Sequence, residues 1–342
     1  MSTSTHAIAP ARVTRRPALR LRRAPILRLI LERVAWGTLT LLIVSFLVFM
    51  ATSVLPGNVA TSVLGNLATP ESVTSLEEQL GLNDPALERY WQWLTSAVQG
   101  EFGSSLANGA SVTTFVVPRI INSLVLVTLA GIVSSLLGVG LGLMCAVYRN
   151  RPFDRVISGV VLGLASMPAF VVGVLLVVVF STTVFHWFPA ISTIPPEISP
   201  LSDPTKLVLP VLTLVVVTVP YITRMLRAVA IEALESDYAE MAVLKGVSTR
   251  RLLFSHVLPN TVAPIVQVIG VCLSFMAGGV VIVEALFNFP GAGSRLVEAV
   301  SARDIPVIQA ITVAMTVFYI FINVATDAIA LVATPRVRFP QS

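Results

Sequence analysis

Long apolar stretches recur along the chain, at approximately Val34–Val54, Ser123–Val147, Val156–Phe180, Leu207–Leu226, Val262–Ala285 and Val307–Ala333. Each is about as long as a membrane crossing requires, since ~30 Å of hydrocarbon is traversed at ~1.5 Å per helical residue. The pattern predicts six transmembrane helices and an all-α integral membrane fold. Gly138, Gly140, Gly142, Gly173, Gly278 and Gly279 fall inside these runs, together with Pro168 and Pro220. Small residues at such positions let membrane helices approach closely. Close packing is the simpler reading of all of them. A sharper one makes Pro168 and Pro220 bends beside a solute path, with Phe170 and Tyr221 as neighbouring wall residues.

The segments between the runs have their own signals. Residues 55–118 form an external segment too small for a core of its own. It contains a helix over Pro70–Leu80 ended by Gly81, and another over Pro85–Gln99 with Asp84 as its N-cap. Tyr90, Trp91, Trp93 and Leu94 in the second helix suit the membrane interface, and stacking on a ligand is the rarer use of such a cluster. The third run exits into a loop with Pro189, Pro195, Pro196, Pro200 and Pro204, which excludes regular structure there.

Composition agrees with this pattern. Of 342 residues 55% are hydrophobic and 12% charged, and the mean hydropathy is +0.85. A soluble globular domain carries about a quarter charged residues, and a disordered chain is polar and highly charged, so both classes are excluded. The net charge of +5 and the isoelectric point near 9.7 are explained by placement. Of the 23 Lys and Arg, 18 lie before the first run, between the second and third, between the fourth and fifth, or after the sixth. The alternate loops hold Arg89, Arg119, Lys206, Arg295 and Arg303. Positive charge is retained inside, so both termini are expected in the cytoplasm and nucleic acid is not an expected partner. Residues 1–33 read as a basic cytoplasmic tail with no acid before Glu32, able to lie on anionic lipid headgroups. The first run is too long for a cleaved signal core and reads as a retained span over residues 34–54.

Catalytic and metal chemistry finds no footing. Cys145 and Cys272 sit singly in apolar runs, and His6, His186 and His256 are scattered. A P-loop needs Gly directly before its Lys. The two lysines, Lys206 and Lys245, follow Thr205 and Leu244. Two acids lie within apolar runs, where charge is costly. Glu284 falls at the outer end of the fifth run, near water, and Asp327 lies about two turns before the inner end of the sixth. Structural pairing or snorkelling explains both more simply than an ion relay.

The cytoplasmic connection over residues 230–259 is the most structured of the loops. Asp237 followed by Glu240 makes an Asp version of the capping box, and Gly246 stands where a helix ends in a left-handed residue, delimiting a helix over Tyr238–Lys245. Ser248 can cap a second helix carrying Arg250 and Arg251, and Pro259 announces the next span. Two short helices joined at Gly246 make an elbow.

Glu240-Met241-Ala242, then Gly246, then His256-Val257-Leu258-Pro259 at these spacings resembles the EAA loop of ABC importer permeases. Met241 and His256 depart from its Ala and Ile. Leu55-Pro56-Gly57-Asn58, Gly81-Leu82 with Tyr90 and Trp93, and Gly100–Leu106 are similar to the dipeptide/oligopeptide (peptide/nickel) permease family. So are Asp237-Tyr238, Lys245-Gly246, Phe289–Gly293, Ala302-Arg303-Asp304 with Pro306, and Pro335–Arg338, although Thr334 stands where relatives often have Asp. The series runs from about residue 30 to 340.

The resemblance implies a type I ABC importer permease core over residues 119–335, an extra N-terminal span and a C-terminal tail over 336–342, in the bacterial inner membrane. It implies a non-catalytic subunit without a cofactor, importing di- or oligopeptides. ATP and Mg would be bound by two separate ABC ATPase subunits. A homologous second permease would complete the pathway and an extracytoplasmic solute-binding protein would deliver the solute. Asp237, Tyr238, Glu240, Met241, Ala242, Lys245, Gly246 and Arg250 are the implied coupling residues. Of these, Glu240, Ala242 and Gly246 would shape the elbow, and Tyr238, Met241, Lys245 and Arg250 would touch the ATPase. A nickel-chelate or glutathione permease is the near alternative, and an ATP-independent carrier or channel the distant one.

Overall fold

The computed structural model of the chain describes residues 24–54, 69–79, 84–195 and 198–333. The basic tail before Ala24, the Leu55–Asn58 and Gly81-Leu82 motifs and the terminal Pro335–Arg338 run lie outside the described residues. The helices are α1 (Ala24–Val54), α2 (Pro70–Gln79), α3 (Ala86–Val98), α4 (Val112–Val147), α5 (Pro152–Ala165) and α6 (Ala169–Val177), the last extended by a π-helical turn (Val178–Thr183). They continue as α7 (Thr205–Leu234), α8 (Asp237–Leu244), α9 (Thr249–Leu252), α10 (Leu258–Phe287), α11 (Ala292–Ala302) and α12 (Ile305–Ala333). The described residues contain no strand. Helix α3 starts one residue later than its sequence signals indicate. Pro85, in extended backbone, takes the cap position expected of Asp84.

Five helices, α1, α4, α7, α10 and α12, are each long and apolar enough to cross a membrane. The sixth crossing differs from the continuous span expected over Val156–Phe180. Helices α5 and α6 meet at 105°. Proline lacks the N–H a helix needs, and the residue before it is pushed out of the α region. The helix therefore stops at Ala165 and restarts after Pro168. Pro220, by contrast, stays inside the unbroken α7.

The core is built on close approach of α4 and α7. A Cβ at Gly138 would stand 2.6 Å from Ile222 Cβ, and one at Gly142 would stand 2.9 Å from Leu226 Cβ and 3.0 Å from the Thr223 carbonyl. Only glycine permits that separation. Helices α10 and α12 complete the bundle, and α1 lies outside it against α12. Polar contacts hold α1 to α12 near both ends. Arg33 Nε meets Asp327 Oδ2 at 2.8 Å, and Gln309 Nε2 donates to Thr52 Oγ1 at 3.1 Å near the other end. Asp327 thus finds its partner on the first helix.

Helix α3 folds back on α1. Tyr90 is buried between Phe46, Phe49 and Trp93, and its hydroxyl lies 2.9 Å from Ser45 Oγ. Trp91 remains exposed. The aromatic cluster therefore docks one helix on another, with Trp91 left to face outward. Removing the hydroxyl in Tyr90→Phe should cost ~1 kcal/mol, read as a lower thermal midpoint of the detergent-solubilised protein with transport unchanged. An unaltered midpoint would mean that Ser45 is satisfied by the Leu42 carbonyl, 3.0 Å away.

At the end of the bundle that holds α3 and α11, two buried carboxylates tie the loops down. Ser105 Oγ donates to Asp304, Leu106 N–H donates to Asp304 Oδ1 at 3.1 Å, and Arg295 approaches the same carboxylate while lying 5.1 Å over the Phe115 ring. The Gly100–Leu106 and Ala302–Asp304 motifs, distant in sequence, are thereby one clasp. Glu284 is fully buried, contrary to the expectation that water is near it. It accepts from Ser123 Oγ at 2.5 Å, Gly293 N–H at 2.7 Å and Ser294 N–H at 3.1 Å. The Phe289–Gly293 loop folds back over the helix end and excludes solvent from it. Asn122 reinforces the closure by donating to the Pro290 carbonyl at 3.0 Å.

Candidate functional site

At the opposite end of the bundle the elbow rests on the last turns of α4 and α7. Ala239 and Ala242 of α8 pack with Ala146, Ala230, Leu252 and Val257 in one buried cluster. Alanine at these places lets a short helix lie flat against its support. Helix α8 begins at Asp237 rather than after it. Ser236 is the cap residue, its hydroxyl donates back to the Ala233 carbonyl at 2.6 Å, and no side chain caps the helix. The capping box expected of Asp237 and Glu240 is therefore not formed, and both acids sit exposed in the first turn. There they favour the helix dipole.

The C-terminal end of α8 matches its sequence signal. Gly246 has φ +78°, its N–H donates to the Val243 carbonyl at 2.9 Å, and the Val247 N–H donates to the Ala242 carbonyl at 3.1 Å. This pair of bonds is the Schellman closure. Helix α9 follows over Thr249–Leu252, and a π-helical turn over Leu253–Val257 leads into α10. The backbone of Arg250 lies in α9, while its side chain is outside the described residues.

Large apolar side chains stand exposed on the elbow's outward face. Met241 and Leu244 are 54% and 74% exposed, Tyr238 and, beyond the turn, Phe254 are exposed as well, and Asp237, Glu240 and Lys245 add the charges. Tyr238, Met241 and Lys245 recur at helical spacing on one side of α8, with Ala239 and Ala242 on the other. The structure thus brings together seven of the eight expected coupling residues in one projecting piece. It divides them into inward-packed Ala242, turn-forming Gly246 and outward Asp237, Tyr238, Glu240, Met241 and Lys245.

Between α7 and α10 lies a cavity of about 590 Å³. Its wall includes Leu214, Thr218, Tyr221 and Met225 from α7 and Gln267, Val271, Phe275 and Gly279 from α10, with Ala169 at the start of α6. Among the described residues no charged side chain lines it. Of the expected pathway residues Pro168, Phe170 and Tyr221, the last belongs to the cavity. Pro168 and Phe170 flank Ala169 at the bend without lining it.

Two further features escaped the sequence reading. Asp154, at the start of α5, is buried and bound by Arg227 of α7 through Nε and Nη2, both at 2.7 Å. Arg149 pairs with Glu235 close to the elbow. The pairing across 73 positions left no local signal, because an Asp in a first helical turn is ordinary.

Residues 138–339 match the family described as binding-protein-dependent transport system inner membrane component, and residues 26–126 match the N-terminal region of such components. A protein named as a peptide transport system permease of Brucella abortus (strain 2308) is 33% identical over 91% of this chain and 99% of its own length. The glutathione transport system permease protein GsiC of Escherichia coli (strain K12) is 33% identical over 88% of this chain and 95% of its own. Among solved structures, the MetNI methionine ABC transporter in inward facing conformations superposes with a TM-score of 0.53 at 16% identity, covering 64% of this chain and 96% of that one. That likeness establishes the fold, the helical core of an ABC importer permease. With the family matched along more than half of its length and relatives a third identical over about nine-tenths of it, this multi-pass membrane chain belongs to the binding-protein-dependent transport system inner membrane components, the permeases of ABC importers.

Proposed function

We propose that the chain forms half of the translocation pathway of an ATP-driven peptide importer and receives the ATPase stroke through the elbow over residues 230–259. The observation that carries the reading is the elbow itself: a closed helical piece seated on α4 and α7, with Tyr238, Met241 and Leu244 turned outward. Such a piece can be pushed as a rigid body and can rock the spans on which it sits. The arginine distribution supports a cytoplasmic elbow and cytoplasmic termini. Two ABC ATPases, each holding ATP and Mg, a second permease and an extracytoplasmic binding protein complete the assembly. The cavity wall of Tyr221, Thr218 and Gln267 among apolar residues suits a neutral or apolar solute segment, and relatives named for peptide and glutathione transport support a peptide cargo.

Co-expression with the candidate ATPases and partner permease, followed by reconstitution with the binding protein, tests this. Uptake of a labelled peptide should require all subunits and ATP and should be blocked by vanadate, and the chain alone should neither hydrolyse ATP nor transport. Uptake by the chain alone would instead make it a carrier. Glutathione is itself a tripeptide, and its competition with labelled peptide for the binding protein separates the two cargo readings.

A further inference from the structure

Helix α5 is weakly anchored for a helix next to a pathway. Its buried residues are Asp154 and Val161, while Val156, Val160 and Leu162 face outward. Asp154 is therefore its principal polar tether. The carboxylate receives Arg227 Nε on Oδ1 and Nη2 on Oδ2, the Asn150 N–H on Oδ2 at 2.9 Å and the Ser158 hydroxyl on Oδ1 at 3.3 Å. A two-point guanidinium–carboxylate contact fixes orientation as well as distance, and it strengthens where water is scarce. The nearby Arg149–Glu235 pair is exposed on both sides, so water and salt screen it.

Arg227 stands on α7 just ahead of the turns that carry the elbow, whose Ala239 and Ala242 pack with Ala230. At its other end α5 stops at the 105° break, and Ala169 beyond that break lines the cavity. We propose that Asp154 and Arg227 clamp α5 to α7, so that displacement of the elbow is carried to the bend at Ser166–Pro168 and thus to the wall of the solute path. Both are positioning residues and touch no solute. The inference rests on the elbow's being the place where the ATPase pushes.

The test uses the complete reconstituted assembly with Asp154→Asn and Arg227→Lys. The first keeps the shape and removes the charge. The second keeps the charge and removes the fork. Both should continue to hydrolyse ATP while solute moved per ATP falls, by about 5- to 150-fold for Asp154→Asn and by less for Arg227→Lys. A second measurement reads the clamp directly, through spin labels at Val156→Cys and Glu232→Cys, since native Cys145 and Cys272 are buried. The interlabel distance should stay narrow with and without ATP in the parent protein and broaden in Asp154→Asn. If Asp154→Asn does not accumulate, Arg227→Lys supplies both readouts. An unchanged distance overturns the clamp whatever the elbow binds. A broadened distance with normal transport per ATP overturns its role in transmission and leaves the elbow reading standing. If the parent chain fails to copurify with the ATPases, the elbow reading falls, and the label distances still decide the clamp.

Discussion

Gly246→Val is expected to leave the chain inserted and assembled at normal levels while uptake falls by an order of magnitude or more. The reason lies in the backbone. Gly246 holds φ +78°, and a Cβ there would meet nothing within 4 Å, so the substitution creates no clash. What it adds is the intrinsic cost of a left-handed L-residue, roughly 1–2 kcal/mol and more for a β-branched one. That cost falls on an eight-residue helix held by a few alanine contacts. Each 1.4 kcal/mol shifts a local equilibrium about tenfold, so the Schellman closure at Val243 and Ala242 opens and α8 loses its fixed angle. A graded series separates this from loss of a contact. Asn, which tolerates the left-handed region, should be mildest, then Ala, then Val. Uptake measured beside ATP hydrolysis in the assembled transporter reads the order, and equal defects in all three would reject backbone strain as the cause.

Glu284→Ala is expected to have the largest effect on stability. It removes the acceptor of the Gly293 and Ser294 N–H groups in a place closed to water, whereas the part-buried Ser123 hydroxyl can turn to the Arg119 carbonyl at 3.2 Å. Each stranded buried donor costs about 1–3 kcal/mol, so the loss should approach ~5 kcal/mol, a large part of the stability of a typical domain. Glu284→Gln retains one acceptor oxygen and most of the volume and should be milder. Gly291→Ala attacks the same closure from the other side, since a Cβ there would lie on the Glu284 carboxylate. Membrane-inserted yield and the thermal midpoint in detergent measure all three. Full stability of Glu284→Ala would mean that water enters and serves the freed donors.

The spans were legible because hydrocarbon leaves few alternatives: a helix of sufficient apolar length is required whatever it packs against. The Gly246 end of α8 was legible for a similar reason, as a local backbone demand written at one residue. The bend at Pro168 agrees with the sharper reading of that proline, but Pro220 carries the same signal and stays in an unbroken helix. The apolar run over Val156–Phe180 is continuous, and periodicity carries no trace of a 105° turn. Glu284 was misplaced because its burial depends on a loop folding back over it, and distance along a helix does not report that. The capping box failed because Ser236 and Asp237 both suit a helix start, and Ser236 took the cap. Asp154 gave no warning at all, since its partner is supplied by another helix. A local demand with one possible answer, such as Gly246, could be read, whereas one with rival residues, or a pairing between helices, could not.

The outlying position of α1 has a consequence for α12. A polar side chain on a surface helix is normally solvated by water, and hydrocarbon offers no substitute. Here Thr52 and Arg33 occupy two depths of one helix and meet Gln309 and Asp327 at matching depths of the other. The first helix thus acts as a stationary solvent for the last, delivered before it along the chain and awaiting it in the membrane. A core synthesised without α1 would have to bring Gln309 and Asp327 into the bilayer without the Thr52 hydroxyl and the Arg33 guanidinium that meet them here.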